Sequence, residues 1–167
     1  MNRLIEGRAY ILGDNIDTDQ IYPGRYLELT DIKLIASHCL EGVNPDFAEK
    51  HARGAILVAG RNFGCGSSRE HAVITLKEAG VLVVIANSFA RIFYRNAINL
   101  GLPVLIIKDS KKLAAEGEML SIDLNKGIIH NKNSNIAYQG EQLPDFILNI
   151  LQSGGIKSSF KKLYSKG

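Results

Sequence analysis

The chain has 167 residues, 46% of them hydrophobic and 22% charged, a composition that excludes a disordered or fibrous protein. A chain of this length buries about 68–70% of its unfolded surface without disulfides or a structural metal, and no apolar run in it approaches the roughly 20 residues of a membrane span. The net charge of +3 reflects four lysines in the last eleven residues, so the nearly neutral remainder offers nucleic acid no basic stripe.

The predicted elements begin with a weakly alternating strand over residues 8–12, followed by a polar turn region over 13–20. Helices are predicted over residues 31–39 and 45–51. The next segments alternate between buried strands and helices that end at a glycine: strands over 55–59, 81–86 and 103–107, and helices over 69–79 and 91–100. This β-α-β-α-β order predicts a parallel or mostly parallel sheet.

After residue 109 the segments become short and predict a small antiparallel meander over 119–124, 127–130 and 135–138, then a last helix over 142–151. We therefore expect one α/β domain over residues 1–151, with a mostly parallel central sheet, helices and a β-rich annex. Residues 152–167 are expected to form a basic C-terminal tail that is solvated and partly frayed.

The first residues and the cysteines bear on compartment and metal content. Glu6 and Arg8 interrupt any apolar signal core, so we expect a cytoplasmic protein. Cys39 and Cys65 are too few for an iron–sulfur cluster, and the four histidines show no metal-ligand spacing. We expect two free thiols and no metal held by this chain alone.

Residues 60–71, GRNFGCGSSREH, lie where a buried strand is predicted to end and a helix to begin. Free N–H groups and the positive end of the helix dipole suit an anionic ligand there. Gly64 and Gly66 would let the backbone approach that ligand closely. Two hydroxyls and a guanidinium can donate hydrogen bonds to a carboxylate or phosphate: Ser67, Ser68 and Arg69.

The same residues permit a structural interpretation. Ser67 and Glu70 have the spacing of a capping box, in which the serine accepts from the N–H of residue 70 and the glutamate returns the bond. Another alternative keeps the anion site without turnover, as a regulatory or interaction module. Arg91 and Arg95 share a helix face by their spacing, which favours a solvated or subunit-contacting role over the alternative that they face the substrate or a carboxylate partner.

Residues 60–71 and 88–103, the latter SFARIFYRNAINLGLP, resemble the small subunit of 3-isopropylmalate dehydratase and homoaconitase, the swivel domain of the aconitase superfamily. Residues 14–21 and 23–27 also look like that family, and the resemblance covers residues 5 to 151. It implies a swivelling β/β/α domain of aconitase type.

The resemblance implies a hydro-lyase that isomerises 2- and 3-isopropylmalate by dehydration and rehydration in leucine biosynthesis. A separate large subunit would hold a [4Fe–4S] cluster, in a heterodimer or heterotetramer. By similarity Ser67 would be the base, acting as an alkoxide, while Gly66, Ser68 and Arg69 would lie against substrate oxygens. Asp19 would orient a catalytic histidine of the large subunit.

Substrate choice in this family is attributed to the loop that here reads Tyr26-Leu27-Glu28-Leu29-Thr30. An arginine there suits homoaconitate, and an apolar residue suits an isopropyl group. Glu28 stands where the arginine would, and its charge disfavours a third substrate carboxylate. With Leu29 as an apolar wall, we expect a branched alkylmalate; 2,3-dimethylmalate and homoaconitate stay open as alternatives. Neither a nucleic-acid nor a membrane partner is expected.

Overall fold

The computed structural model describes residues 4–165, so the first three residues and the last two of the predicted tail lie outside the described part. The strands are β1 Leu4–Ile11, β2 Ala55–Val58, β3 Val83–Ala86, β4 Val104–Ile106, β5 Met119–Asp123, β6 Ile128–Asn131 and β7 Ile136–Gln139. The α-helices are α1 Thr18–Ile21, α2 Ile32–Ser37, α3 Phe47–Lys50, α4 Glu70–Ala79, α5 Arg91–Leu100, α6 Asp145–Gln152 and α7 Ile156–Ser165. Single 3-10 turns cover Gly24–Tyr26 and Ser110–Lys112. None of these helices is long and apolar enough to cross a membrane.

All seven strands form one sheet in the order β4-β3-β2-β1-β5-β6-β7. β1 to β4 are parallel, as the β-α-β-α-β pattern predicts. The predicted antiparallel meander is confirmed, and it continues the same sheet because β5 pairs antiparallel with β1. The annex is therefore an extension of the central sheet rather than a separate layer.

Alternating side chains of the parallel strands enter two different cores. In β2, Leu57 packs with the helices, while Ile56 and Val58 point to the other face. That second face is covered by apolar residues of the antiparallel strands, among them Ile122 and Ile129. The parallel strands and the antiparallel strands both contribute to this one cluster, so the sheet curls over itself. Both faces of the parallel half are therefore buried.

The predicted helix ends are confirmed at Gly80 and Gly101, which both adopt the left-handed conformation, with φ of 105° and 84°. Gly101 also permits a close approach. A Cβ built there would lie 2.4 Å from the carbonyl oxygen of Gly154, so the turn at Gly154-Gly155 packs directly on the end of α5.

Part of the predicted tail is helical. Ile156–Ser165 form α7, which lies against α5 and α6. The cause is the turn just before it, where Gly154 and Gly155 both have positive φ and reverse the chain onto α5. The domain boundary at residue 151 stays a prediction.

Candidate active site

Three loops that follow β1, β2 and β3 lie side by side beyond the carboxyl edge of the parallel strands. The amide of Gly64 donates to Ile16 O at 2.7 Å, and the amide of Thr18 donates to Cys65 O at 2.8 Å. On the other side, the amide of Phe63 donates to Ser88 O at 3.1 Å. These bonds fix the loop between β2 and α4 at the edge where open α/β sheets bind ligands.

The two glycines of this loop have different physical roles. Gly64 is buried with φ of +84°, and a Cβ there would lie 2.3 Å from the ring carbon Cγ of Phe93. The absence of a side chain at Gly64 makes room for the ring of Phe93 on α5. Packing is therefore the reason for this glycine, rather than the expected approach of a ligand. Gly66 has φ of +94° and is exposed; its nearest neighbour would be Thr18 Oγ1 at 3.4 Å. Both glycines line the cleft, but only at Gly66 is the space of a missing side chain left open.

Ser67 and Ser68 are both exposed and line a cleft of about 420 Å³ together with Arg69. Within residues 4–165, neither hydroxyl makes a hydrogen bond, although Ser67 O accepts one from Thr18 Oγ1 at 2.8 Å. Two hydroxyls without a hydrogen-bond partner among these residues are therefore available in the cleft.

The capping-box interpretation of Ser67 and Glu70 is wrong. The N-cap of α4 is Arg69, without a side-chain capping bond, and Glu70 is the first helical residue. The helix begins two residues later than the capping box requires, so the serine hydroxyl cannot reach the N3 amide. Helix capping does not account for the serines.

Arg69 joins the serine loop to the first helix, 50 residues earlier in the chain. Its Nη1 donates to Asp19 Oδ1 at 3.1 Å and to Tyr22 O at 3.3 Å. The amide of Gly24 donates to the same Asp19 oxygen at 2.8 Å. Two hydrogen bonds hold the pKa of Asp19 below its usual value: the larger effect comes from the Gly24 N–H and the next from the Arg69 guanidinium. Asp19 is therefore an ionised carboxylate next to the predicted site, and its side chain remains 69% exposed.

The predicted discrimination loop starts next to Arg69 but does not line the cleft. A Cβ at Gly24 would lie 3.2 Å from Arg69 Nη2, and the 3-10 turn to Tyr26 follows directly. Leu27 and Glu28 are exposed, and Leu29 is half-buried. The structure thus brings together Gly66, the two serines and Arg69, connects Asp19 to them, and leaves residues 26–29 at the side of the cleft.

The sequence pattern favoured a role outside the site for Arg91, but the structure places it in the cleft wall with Ile92 and Asn96. Arg91 is the first residue of α5 and comes directly after the loop that follows β3. Ser67 lies in the corresponding loop that follows β2. Within the described residues Arg91 has no ion-pair partner, and Ile92 is 51% exposed. Arg95 does not line this cleft. The signal available in the sequence was the position of Arg91 at a predicted strand-to-helix junction.

The thiols of this chain do not fit an iron–sulfur cluster. Cys39 is buried, and burial raises the pKa of its thiol to about 12, which opposes thiolate ligation. Cys65 is a second free cysteine on the cleft loop. Among residues 4–165, no group of three or more histidine, cysteine or acidic side chains is arranged to hold a metal ion.

Comparison with known proteins agrees with the fold and identifies the family. The aconitase C-terminal domain profile matches residues 12–110. The 3-isopropylmalate dehydratase small subunit 1 of Methanopyrus kandleri is 48% identical over 97% of this chain and 95% of its own length. The methanogen homoaconitase small subunit of Methanothermobacter thermautotrophicus is 49% identical over 100% of this chain and 96% of its own.

A solved structure has the same fold throughout. The crystal structure of 3-isopropylmalate dehydratase from Methanocaldococcus jannaschii covers 99% of this chain, and the chain covers 100% of it, with a TM-score of 0.91 and 45% identity. The predicted aconitase-type fold is thereby confirmed. This chain belongs to the aconitase C-terminal domain family, among the small subunits of 3-isopropylmalate dehydratase and homoaconitase.

Proposed function

We propose that this chain is the small subunit of a heteromeric hydro-lyase that interconverts 2-isopropylmalate and 3-isopropylmalate, a step of leucine biosynthesis in the cytoplasm. A large subunit bearing the iron–sulfur cluster would complete the active site. The observation that carries this proposal is the pair of unengaged hydroxyls, Ser67 and Ser68, presented beside Arg69 in one cleft. The relatives named above support the same assignment.

In the proposed reaction Ser67 Oγ is the base. As an alkoxide it takes the proton from the carbon next to a carboxylate, and the hydroxyl leaves the neighbouring carbon as water, with a proton from an acid of the large subunit, to give an alkylmaleate. Addition of the Ser67 proton to one carbon and of the hydroxyl group of water to the other, with the remaining water proton returned to that acid, completes the isomerisation. Ser68 and Arg69 donate hydrogen bonds to the substrate carboxylate and keep the proton within reach of Ser67.

An unassisted serine hydroxyl does not ionise near neutral pH, so the alkoxide needs its surroundings. The amides at the start of the ten-residue helix α4 and the Arg69 guanidinium lie next to the loop and favour an anion. In the isolated chain Ser67 is exposed, and water screens these charges. Exclusion of water by a large subunit would strengthen them, which explains an activity that requires both chains.

Asp19 is assigned to the partner-facing side of the site. The Gly24 amide and Arg69 occupy one carboxylate oxygen, Oδ1, and the side chain is 69% exposed. Its second oxygen can therefore accept an N–H from a histidine of the large subunit and fix the orientation of that ring. The ion pair between Asp19 and Arg69 would also hold the Arg69 guanidinium in place for the substrate.

A branched alkylmalate is the proposed substrate because apolar side chains are exposed both in the cleft and on the loop of residues 26–29. Ile92 in the cleft is 51% exposed and Leu27 on that loop is 39% exposed, and each can cover an alkyl branch. Glu28 is exposed next to Leu27 and would repel the third carboxylate of homoaconitate. Because one relative is a homoaconitase small subunit, homoaconitate stays an alternative, together with 2,3-dimethylmalate, and the test below includes both classes of substrate.

The test is reconstitution with a cluster-bearing large subunit under anaerobic conditions. The isolated chain and the complex are supplied with isopropylmalate, dimethylmalate and homocitrate, and formation of the unsaturated product is followed by its ultraviolet absorbance. We expect turnover only in the complex, with isopropylmalate preferred. Preference for homocitrate would replace the substrate assignment. A stable complex that dehydrates none of the three would favour the anion-binding module.

The assembly itself can be measured in the same preparation. We propose a heterodimer or heterotetramer, and light scattering on the purified complex distinguishes the two. Iron should fractionate with the large subunit, because the thiols of this chain are too few and one of them is buried.

A further inference from the structure

The carboxylate of Glu41, outside the cleft, binds side chains at the start of the discrimination loop, residues 26–30. Glu41 Oε1 accepts from Arg25 Nη2 at 2.7 Å and from Tyr26 Oη at 2.9 Å. Its other oxygen, Oε2, lies 2.5 Å from His38 Nδ1. The Glu41 side chain is 21% exposed, so these partners replace most of its water.

The rings of this cluster also stack. The His38 and Tyr26 ring centroids are 3.6 Å apart with an angle of 11° between the planes. Arg25 Cζ lies 4.7 Å from the centroid of the Tyr26 ring, a cation–π contact. Tyr26 O accepts from the hydroxyl of Tyr22 at 2.6 Å. The side chain and the carbonyl of Tyr26 are thus both fixed.

Glu41 is itself anchored to the helix that bears Asp19. Next to it, the amide of Leu40 donates to Ile21 O at 2.8 Å, and the amide of Gly42 donates to Gln20 O at 3.1 Å. The contact is close, since a Cβ at Gly42 would lie 2.7 Å from Gln20 Cα. Leu40 adopts a left-handed φ of 52°, a conformation that tertiary contacts must maintain. Glu41 therefore has a fixed position relative to α1.

We infer that Glu41 is a positioning residue that sets the conformation of residues 26–29, and through them the choice among alkylmalates; this role rests on the proposed function. Neither Glu41 nor residues 26–29 line the cleft of the isolated chain, so Glu41 acts on the substrate only through the position in which this loop meets the completed site. The hydrogen-bonded turn that it holds continues into the loop, because the amide of Leu29 donates to Tyr26 O at 3.1 Å.

The charge of Glu41 is essential to this role. Burial raises the pKa of Glu41, but the hydrogen bonds from His38, Tyr26 and Arg25 outweigh it and leave the pKa below its usual value. A glutamine has the same shape but only one acceptor oxygen. Its N–H group would face either His38 Nδ1, which then accepts only in the other ring tautomer, or the donors of Arg25 and Tyr26. In both arrangements the negative charge that pairs with Arg25 is lost, so the cluster would weaken.

The experiment compares Glu41→Gln with Glu49→Gln, a matched loss of charge at an exposed residue of α3. The first measurement uses the full chain and no substrate. Stacking on Tyr26 shifts the ring-proton NMR signals of His38 upfield, and the turn protects the amides of residues 27–29 from exchange. Both signatures should weaken in Glu41→Gln and persist in Glu49→Gln. Unchanged signatures in Glu41→Gln would overturn the inference.

The second measurement uses the reconstituted complex. In Glu41→Gln the ratio of kcat/KM for isopropylmalate to that for dimethylmalate should fall about tenfold, through KM, with kcat within about twofold of wild type. A loop that opens without any change in this ratio would also overturn the inference. If the wild-type complex dehydrates no alkylmalate, the proposed function fails, whereas the NMR result still decides whether Glu41 holds the loop.

A second variant covers the case in which Glu41→Gln does not fold. Tyr26→Phe removes one hydrogen bond to Glu41 and retains the ring that stacks on His38. We expect the ring-proton shift to persist, with partial loss of amide protection in residues 27–29. Wild-type protection in this variant would show that the Tyr26–Glu41 bond does not hold the loop.

Discussion

Replacing Ser67 by alanine removes one oxygen atom and tests the proposed base directly. The hydroxyl is exposed and makes no hydrogen bond within residues 4–165, and the bond from Thr18 Oγ1 goes to the backbone carbonyl, which alanine retains. Ser67 is not the N-cap of α4, so no capping bond is lost. We therefore expect the free energy of unfolding to change by less than about 0.5 kcal/mol.

The effect on turnover should be much larger. Loss of a general base costs about 10²- to 10⁴-fold, which at about 1.36 kcal/mol per tenfold corresponds to about 3–5 kcal/mol in the activation barrier. The change should appear in kcat, because Ser67 acts at the proton-transfer step. The control is Ser68→Ala in the same cleft, for which a lost substrate hydrogen bond predicts a rise in KM.

The assay is steady-state dehydration of isopropylmalate by the reconstituted complex, with urea unfolding of each variant as the measure of stability. Near-normal kcat in Ser67→Ala would place the base on another residue. A loss of kcat accompanied by several kcal/mol of destabilisation would instead assign the serine a structural role.

Three further predictions concern packing, charge and thiol reactivity. Gly64→Ala should destabilise the chain by about 2–5 kcal/mol in urea unfolding, from left-handed strain and overlap with an aromatic ring; a change under about 0.5 kcal/mol would contradict the packing. Arg91→Ala should lower kcat/KM about tenfold or more, whereas Arg95→Ala, outside the cleft, should stay within about twofold; equal effects would remove Arg91 from the site. At pH 8 iodoacetamide should alkylate Cys65 and spare Cys39, whose pKa is raised to about 12 by burial, until the chain is unfolded; equal native rates, measured by mass spectrometry, would refute this.

Local patterns in the sequence determined the elements that carry the site. The apolar runs of β2 and β3 predicted buried parallel strands, and Gly80 and Gly101 predicted where the intervening helices end. These signals act over a few residues, because side-chain periodicity and left-handed glycines are properties of the local backbone. The resemblance in residues 60–71 also indicated the family, since a contiguous motif keeps its spacing whatever the rest of the chain does.

The tertiary structure alone decided how distant residues meet at that site. Asp19 pairs with Arg69 across 50 residues, and Arg91 enters the cleft from the next strand-to-helix junction. The ring of Phe93 explains Gly64, and the pairing of β5 with β1 makes the annex part of the central sheet. No local pattern encodes such contacts, since they depend on how the packed sheet and helices bring separate loops together at one edge.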